Sequence, residues 1–132
     1  MNPISVMLVD DSLFFLNVAT QFLQAQDDLT VVGATEGGQE ALARAPRLHP
    51  DVVLVDLTMP DLPGLEVIPR LRTMLPAMGI IVLTSHEAEG YRQAALTAGA
   101  DDFVSKGEMG TRLLPAIRRV AQADRRHPKE NK

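Results

Sequence analysis

Three short apolar runs constrain the fold of this chain more than any other feature of its sequence. They read Val-Met-Leu-Val at residues 6–9, Val-Val-Leu-Val at 52–55 and Ile-Ile-Val-Leu at 80–83. A strand that is apolar at every position must be buried on both faces, as in the centre of a parallel sheet covered by helices. We therefore predict central strands at residues 5–9, 52–55 and 80–83, and two further strands at 30–34 and 102–104.

Longer segments with mostly helical periodicity alternate with the strands. We predict five helices, at residues 12–26, 39–48, 65–75, 87–98 and 111–123. This alternation is typical of an α/β domain with a parallel sheet. The first helix should use Ser12 as its N-cap and bury one apolar stripe. The stripe comprises Phe14, Phe15, Val18, Ala19, Phe22 and Leu23.

Proline and glycine positions predict differences among the helices. Pro46 and Pro69 lie inside the second and third helices and should shorten or kink them, whereas Pro115 is tolerated in a first turn. The fourth helix contains Gly90 and mainly alanines on its apolar side. It should therefore be the least stable of the five and the natural moving part.

Length and composition predict one ordinary globular domain. The chain has 132 residues and no cysteine, which excludes disulfides, thiolate metal sites and a cysteine nucleophile. The lack of cysteine also fits a reducing compartment, so we expect the cytoplasm. No apolar run reaches the roughly 18 residues that a membrane span needs.

The charge of the chain argues against general nucleic-acid binding, because the net charge is −4. Basic residues are nevertheless concentrated near the end, where seven basic and two acidic residues occur from Arg112 onward. We interpret this segment as a solvated helix face, because no aromatic residues are interleaved with the charges. Direct nucleic-acid binding is therefore not expected.

Polar side chains suited to one chemical site follow the first, third, fourth and fifth predicted strands. Asp10 and Asp11 follow the first strand, and Asp56 follows the third. Thr84 and Ser85 follow the fourth strand, and Ser105 and Lys106 follow the fifth. Right-handed crossovers place the carboxyl ends of all strands of a parallel sheet along one edge, where ligands bind. We expect these side chains to form one site.

The residues at this edge indicate phosphoryl chemistry with magnesium. Three neighbouring carboxylates repel one another, so Asp10, Asp11 and Asp56 need a cation or a shared proton at neutral pH. A hard divalent ion is the simpler solution, and Mg²⁺ prefers oxygen ligands. A carboxylate can also attack phosphorus and form an aspartyl phosphate, while metal, the Lys106 ammonium and the Thr84 hydroxyl share the transferring charge.

Four stretches of the sequence resemble the receiver domain of bacterial two-component response regulators, over roughly residues 6–121. They are residues 7–12, 50–60, 80–85 and 98–106. The resemblance implies a flavodoxin-like, doubly wound, five-stranded parallel sheet with strand order 2-1-3-4-5 and five helices.

The same resemblance implies a role for each matching residue. Asp56 matches the phosphoacceptor, Asp11 a direct magnesium ligand, and Asp10 a ligand through water. Thr58 matches the residue whose backbone carbonyl binds the metal, and Thr84 the switch hydroxyl. Lys106 matches the lysine that pairs with the phosphoryl group. Phe103 matches the aromatic residue that turns from an exposed to a buried rotamer on activation.

As a receiver, the protein would be a signalling switch rather than an enzyme with turnover. It would take a phosphoryl group from a sensor histidine kinase or a phosphotransfer protein. The face formed by the fourth helix, the fifth strand and the fifth helix would then act on a downstream partner, or on a second copy in a phosphorylation-dependent homodimer. Arg118, Arg119 and Arg126 would present positive charge there.

Three alternatives compete with this interpretation. We expect a receiver at residues 1–121 and a polar tail at 122–132, too short for an output domain, unless the chain is a fragment of a longer transcriptional regulator. A phosphatase of the haloacid dehalogenase type is disfavoured because Thr58 stands where that family has a general acid. A degenerate receiver that only binds partners is disfavoured by the complete acidic and lysine set.

Three loop residues predict how the site behaves. Gly107 follows Lys106 where many receivers have proline, which predicts a looser loop without a cis peptide. Thr58, two residues after Asp56, predicts slow loss of the phosphoryl group, because it is poorly suited to orient an attacking water. His86, two residues after Thr84, either tunes this loss or is an exposed loop histidine without a role.

Overall fold

The computed structural model describes residues 2–123, and it describes His86 through its backbone alone. The strands are β1 (Ile4–Val9), β2 (Leu29–Thr35), β3 (Val52–Val55), β4 (Gly79–Thr84) and β5 (Asp102–Ser105). They form one parallel sheet in the order β2-β1-β3-β4-β5. The predicted fold, a flavodoxin-like doubly wound sheet, is confirmed.

Five α-helices connect and cover the strands. They are α1 (Leu13–Gln24), α2 (Gly38–Leu48), α3 (Gly64–Met74), α4 (Arg92–Ala98) and α5 (Leu114–Gln122). Helices α1 and α5 pack on one face of the sheet, and α2 to α4 pack on the other. No helix among residues 2–123 is long and apolar enough to cross a membrane.

The central strands contribute side chains to two apolar cores. Along β1, Val6 and Leu8 belong to the core shared with α1 and α5, whereas Met7 and Val9 belong to the core shared with α2 to α4. All four side chains are buried. The uninterrupted apolar run therefore follows from a strand that is covered on both faces.

Helix α1 begins as predicted, but it buries a different stripe. Ser12 caps the helix, with its Oγ accepting a hydrogen bond of 3.1 Å from the backbone N–H of Phe15. The buried side chains are Leu16, Ala19 and Leu23, while Phe14 is 79% exposed. Spacings of three and four residues place Leu16, Ala19 and Leu23 on one face of the helix, whereas Phe14 and Val18 (39% exposed) lie outside it, so their predicted inclusion was wrong.

The fourth predicted helix is divided. A 3₁₀ helix spans His86–Tyr91, and the α-helix comprises only Arg92–Ala98. Gly90, in the 3₁₀ segment, is a poor helix former. The tighter 3₁₀ turn takes the place of the α-helical start that the sequence predicts.

The fifth predicted helix also begins irregularly. A 3₁₀ turn at Lys106–Glu108 and a π-helical turn at Met109–Leu113 precede α5. Pro115 lies in the first turn of α5, as predicted. Because proline has no N–H, the regular hydrogen bond to the preceding turn is missing, and the wider π turn accommodates this gap.

Proline does not shorten the second and third helices. Helix α2 continues past Pro46 to its predicted end at Leu48, and α3 continues past Pro69 to Met74. The predicted shortening was therefore wrong. Buried side chains from both helices, including Ala45 and Leu71, hold these segments against the sheet, so packing outweighs the lost backbone hydrogen bonds.

The register of the strands brings their carboxyl ends level. Val9 lies beside Val55, and Val55 lies beside Val82. On the next pair, Thr84 lies beside Ser105. The residues at and just after the ends of β1, β3, β4 and β5 therefore share one edge of the sheet.

Candidate functional site

Backbone hydrogen bonds hold Asp10 and Asp56 at this edge of the sheet. The N–H of Asp10 donates to the carbonyl of Thr35 (3.1 Å), and the N–H of Asp56 donates to the carbonyl of Val9 (3.0 Å). The ladder thus continues one residue beyond β1 and β3. Both aspartates leave the sheet in fixed orientations, and both side chains are buried.

The three predicted acidic residues form one cluster. Asp10, Asp11 and Asp56 each offer an oxygen, and these oxygens lie within 4.8 Å of one another. Asp11 is exposed, whereas Asp10 and Asp56 are buried. A set of carboxylate oxygens open to water on one side fits Mg²⁺, which keeps several water ligands when it binds to proteins.

Asp56 lies in an environment that opposes its ionisation. Burial raises the pKa of the Asp56 carboxyl above its usual value, and the negative charge of Asp10 raises this pKa further. Hydrogen bonds from the Thr84 hydroxyl and the Thr58 backbone, together with the Lys106 charge, act in the opposite direction. A cation at the cluster would favour the ionised, nucleophilic form.

The loop after β3 carries Thr58 and is anchored to α2. Thr58 is exposed, and its N–H lies 3.4 Å from Asp56 Oδ1. Asp61, in the same loop, accepts hydrogen bonds from the N–H groups of Gln39 (3.0 Å) and Gly38 (3.1 Å). These two bonds hold the pKa of Asp61 below its usual value and cap the first turn of α2.

Lys106 bridges the buried carboxylates. Its Nζ lies 2.7 Å from Asp10 Oδ2 and 3.6 Å from Asp56 Oδ2. The Phe15 ring covers the same ammonium, with 4.2 Å between Nζ and the ring centroid. The position of Lys106 after the fifth strand predicts its place at this site, whereas Phe15 was expected only in the apolar stripe of the first helix.

Thr84 ends β4, and Phe103 lies on the neighbouring strand β5. The Thr84 hydroxyl donates a 2.6 Å hydrogen bond to Asp56 Oδ1, and the Phe103 ring is completely buried. The structure thus differs from the exposed resting position expected for Phe103. The Arg92 guanidinium lies 4.9 Å from the centroid of this ring, and Arg92 Nη2 donates to the Phe103 carbonyl (3.3 Å).

A cavity of about 360 Å³ opens above Asp56. Asp11, Thr58 and Tyr91 line it, together with residues of the 3₁₀ segment. Tyr91 also lines a neighbouring cavity of about 340 Å³ beside Leu57 and Pro63. The predicted modulating residue His86 lies in the same 3₁₀ segment, and its side chain is outside what the structure describes.

Two basic residues of α5 are paired within the chain. Arg118 forms an ion pair with Asp28 (2.8 Å), which raises the pKa of the guanidinium, and Arg119 pairs with Asp102. These ion pairs therefore partly neutralise the positive charge that was expected on the exposed face of α5. Arg126 and the rest of the predicted tail from residue 124 onward lie outside the described residues.

The sheet and its acidic edge together define a receiver domain. The chain belongs to the response regulator receiver domain family, whose pattern matches residues 6–118. Receivers of this family act in two-component signalling rather than as enzymes with turnover. The family's acidic pocket binds Mg²⁺, and its members interact with histidine kinases or phosphotransfer proteins. The resemblance inferred from the four stretches is confirmed.

Curated relatives in two staphylococci carry the name response regulator protein VraR. The Staphylococcus aureus protein is 34% identical over 123 residues, covering 92% of this chain and 58% of the relative. The Staphylococcus saprophyticus protein is 32% identical over 118 residues, covering 89% and 56%. This chain thus spans between 56% and 58% of the length of these relatives.

Solved structures show the same fold. The response regulator domain of Thermotoga maritima CheB superposes with a TM-score of 0.86 at 33% identity, covering 93% of this chain and 99% of that one. The receiver domain of the putative response regulator NarL from Mycobacterium tuberculosis superposes with a TM-score of 0.85 at 27% identity, with the same coverage.

Proposed function

We propose that Asp56 accepts a phosphoryl group and thereby switches the protein between two signalling states. The observation that supports this most directly is the placement of one buried carboxylate against Thr84, Lys106 and two further acidic residues. The donor is a phosphohistidine of a sensor histidine kinase or a phosphotransfer protein. An Asp56 oxygen attacks phosphorus, the phosphorus–nitrogen bond breaks, and the departing imidazole keeps the electron pair.

Mg²⁺ would be held by Asp10, Asp11 and Asp56, with the Thr58 backbone carbonyl as the further ligand that the family resemblance implies. When bound, the ion supplies positive charge against the phosphoryl oxygens. Lys106 supplies a second positive charge beside Asp56, and the Thr84 hydroxyl supplies a hydrogen bond. These side chains orient the acceptor and stabilise the charge that develops during transfer.

The donor docks on the exposed apolar residues at the start of α1. Leu13 is 59% exposed and Phe14 is 79% exposed, and both lie just after the acidic residues of the cluster in the chain. Exposed apolar side chains beside a reactive group are typical of a protein interaction site. A Phe14→Ser variant should lose phosphotransfer from the cognate kinase yet keep the wild-type rate with acetyl phosphate, which needs no docking surface.

The output surface is formed by α4, β5 and α5. Arg92 links α4 to the Phe103 ring and carbonyl, and Thr84, beside Ser105 of β5, links the neighbouring strand β4 to Asp56. The phosphoryl group consolidates the inward arrangement of Thr84 and Phe103, so activation is a population shift rather than the creation of a new state. A downstream protein or a second copy of this chain reads the altered surface.

Phosphorylation of the purified protein tests the assignment. Acetyl phosphate with Mg²⁺ should add one phosphoryl group, seen by intact-mass measurement, and the Asp56→Asn variant and EDTA-treated protein should not gain it. An equal yield on the Asp56→Asn variant would contradict the assignment. Steady release of phosphate from p-nitrophenyl phosphate would instead support the phosphatase alternative.

A second candidate is that this receiver controls a further domain of a longer regulator in the cytoplasm. The greater length of the relatives named VraR favours this candidate. The apparent mass of the native protein in its own cells, measured with an antibody against the receiver, distinguishes the two. A product of receiver size supports a single-domain switch, and a larger product supports the longer regulator.

A further inference from the structure

The Phe15 ring completes a closed series of contacts that links Asp10, Ser12, Phe15 and Lys106 beside the phosphoacceptor. The N–H of Ser12 donates to Asp10 Oδ1 (2.8 Å), and the N–H of Phe15 donates to Ser12 Oγ (3.1 Å). The ring then lies 4.2 Å from Lys106 Nζ, which in turn lies 2.7 Å from Asp10 Oδ2. Helix α1, β1 and the start of the loop after β5 are thereby joined through one ammonium group.

Lys106 has little other restraint on its side chain. It begins the 3₁₀ turn at Lys106–Glu108 and is 24% exposed. Gly107 follows, and a Cβ built there would meet only Ser105 Oγ, at an ordinary contact distance of 3.8 Å. Because lysine carries its charge on a flexible four-carbon stem, such a loop leaves the position of the ammonium to its partners.

We infer that Phe15 is a positioning residue, whose ring face holds the Lys106 ammonium beside Asp10 and Asp56. This inference rests on the proposed phosphoryl transfer to Asp56. The attraction between a cation and an aromatic face is strongest where water is partly excluded, and Phe15 is partly buried against the core of α1 and α5. The ring therefore restrains an ammonium that the loop itself leaves free to move.

Charge placement explains why a ring suits this position. A carboxylate there would add negative charge to a cluster that already contains three acidic residues. A saturated side chain would fill the space without attracting the ammonium. An aromatic face attracts the cation without adding a formal charge or competing for Mg²⁺.

Conservative substitutions separate this role from packing. Phe15→Leu should slow phosphorylation by acetyl phosphate by about threefold to tenfold, and Phe15→Tyr, which keeps a ring face, should restore most of the rate. Phe22→Leu is the matched control, because Phe22 is a partly buried phenylalanine of the same helix and core, away from the site. It should change stability without changing the rate.

Nuclear magnetic resonance tests the contact without any phosphodonor. The ε-methylene protons of Lys106 should be shifted upfield by the ring in the wild type and in Phe15→Tyr, and should return to ordinary lysine values in Phe15→Leu. Equal shifts in all three proteins would overturn the inference. Failure of the wild type to accept a phosphoryl group would instead contradict the proposed function, because the contact is read independently.

A fluorinated series at residue 15 provides the sharpest test. Site-specific incorporation of phenylalanines with increasing fluorine content weakens the negative ring face at nearly constant shape. The logarithm of the phosphorylation rate should fall with each added fluorine, and it should not do so for the same series at residue 22. A flat series at residue 15 would show that Phe15 acts by packing alone, which would overturn the inference.

Discussion

Thr84 and Asp56 are joined by a hydrogen bond of 2.6 Å between the threonine hydroxyl and Oδ1 of the carboxylate. The hydroxyl therefore already faces the group that is proposed to carry the phosphoryl. On the neighbouring strand the Phe103 ring is fully buried. Phe103 thus occupies the inward position that was expected for it only after activation.

Arg92 should stabilise the inward position of Phe103. An Arg92→Ala variant loses both the contact with the ring and the bond to the Phe103 carbonyl, so the buried rotamer should be disfavoured by about 0.5–1 kcal/mol. Aromatic side-chain NMR should then show Phe103 exchanging between two positions. Arg70→Ala, which removes an exposed i,i+4 pair with Glu66 on α3, is the control and should leave the Phe103 signals unchanged.

Thr58 should prolong the phosphorylated state. Its side chain is exposed beside Asp56 and is poorly suited to orient an attacking water, so Thr58→Asn should release phosphate about threefold to tenfold faster. The measurement is the time course of phosphate release after the donor is removed. An unchanged rate would contradict the argument. Slower release from His86→Ala than from the wild type would support a basic role for His86.

Gly90 and Gly64 should respond oppositely to alanine. A Cβ at Gly90 would meet no atom within 4 Å, so Gly90→Ala should favour helix before α4 and raise the free energy of unfolding by about 0.5–1 kcal/mol. A Cβ at Gly64 would approach Leu57 Cα at 2.8 Å, so Gly64→Ala should lower the free energy of unfolding by about 1–3 kcal/mol. Urea unfolding measures both, and destabilisation by Gly90→Ala would show that the 3₁₀ segment needs glycine.

Asp56→Asn should stabilise the metal-free protein increasingly as pH rises. Burial raises the pKa of Asp56 in the folded state above the ordinary value of 3.8. The contribution of this carboxyl to stability is therefore fully present below about pH 3.8, and it is lost as pH rises through the pKa of the folded state. Asparagine does not titrate and escapes this loss. Urea unfolding in EDTA should show a larger difference between the two proteins near neutral pH than near pH 4. A constant difference would contradict the direction of the shift.

Much of the fold follows from local patterns. All five strands occur within one residue of their predicted ends, because continuous apolar runs between helical segments leave few alternatives. The starts of the last two helices were misplaced for local reasons, since Gly90 and Pro115 weaken regular α-helical hydrogen bonding there. Packing overrode local propensity at Pro46 and Pro69, where both helices continue.

The identity of the polar side chains that share the site follows from the order of the chain alone, because parallel strands present their carboxyl ends at one edge. The shared position of Asp10, Asp56 and Lys106 could therefore be predicted from the order of strands and polar residues alone. The contacts of Phe15 with Lys106 and of Arg92 with Phe103 could be seen only in the folded protein. Such contacts depend on how each helix is rotated and placed against the sheet, and many side chains pack together to set that rotation.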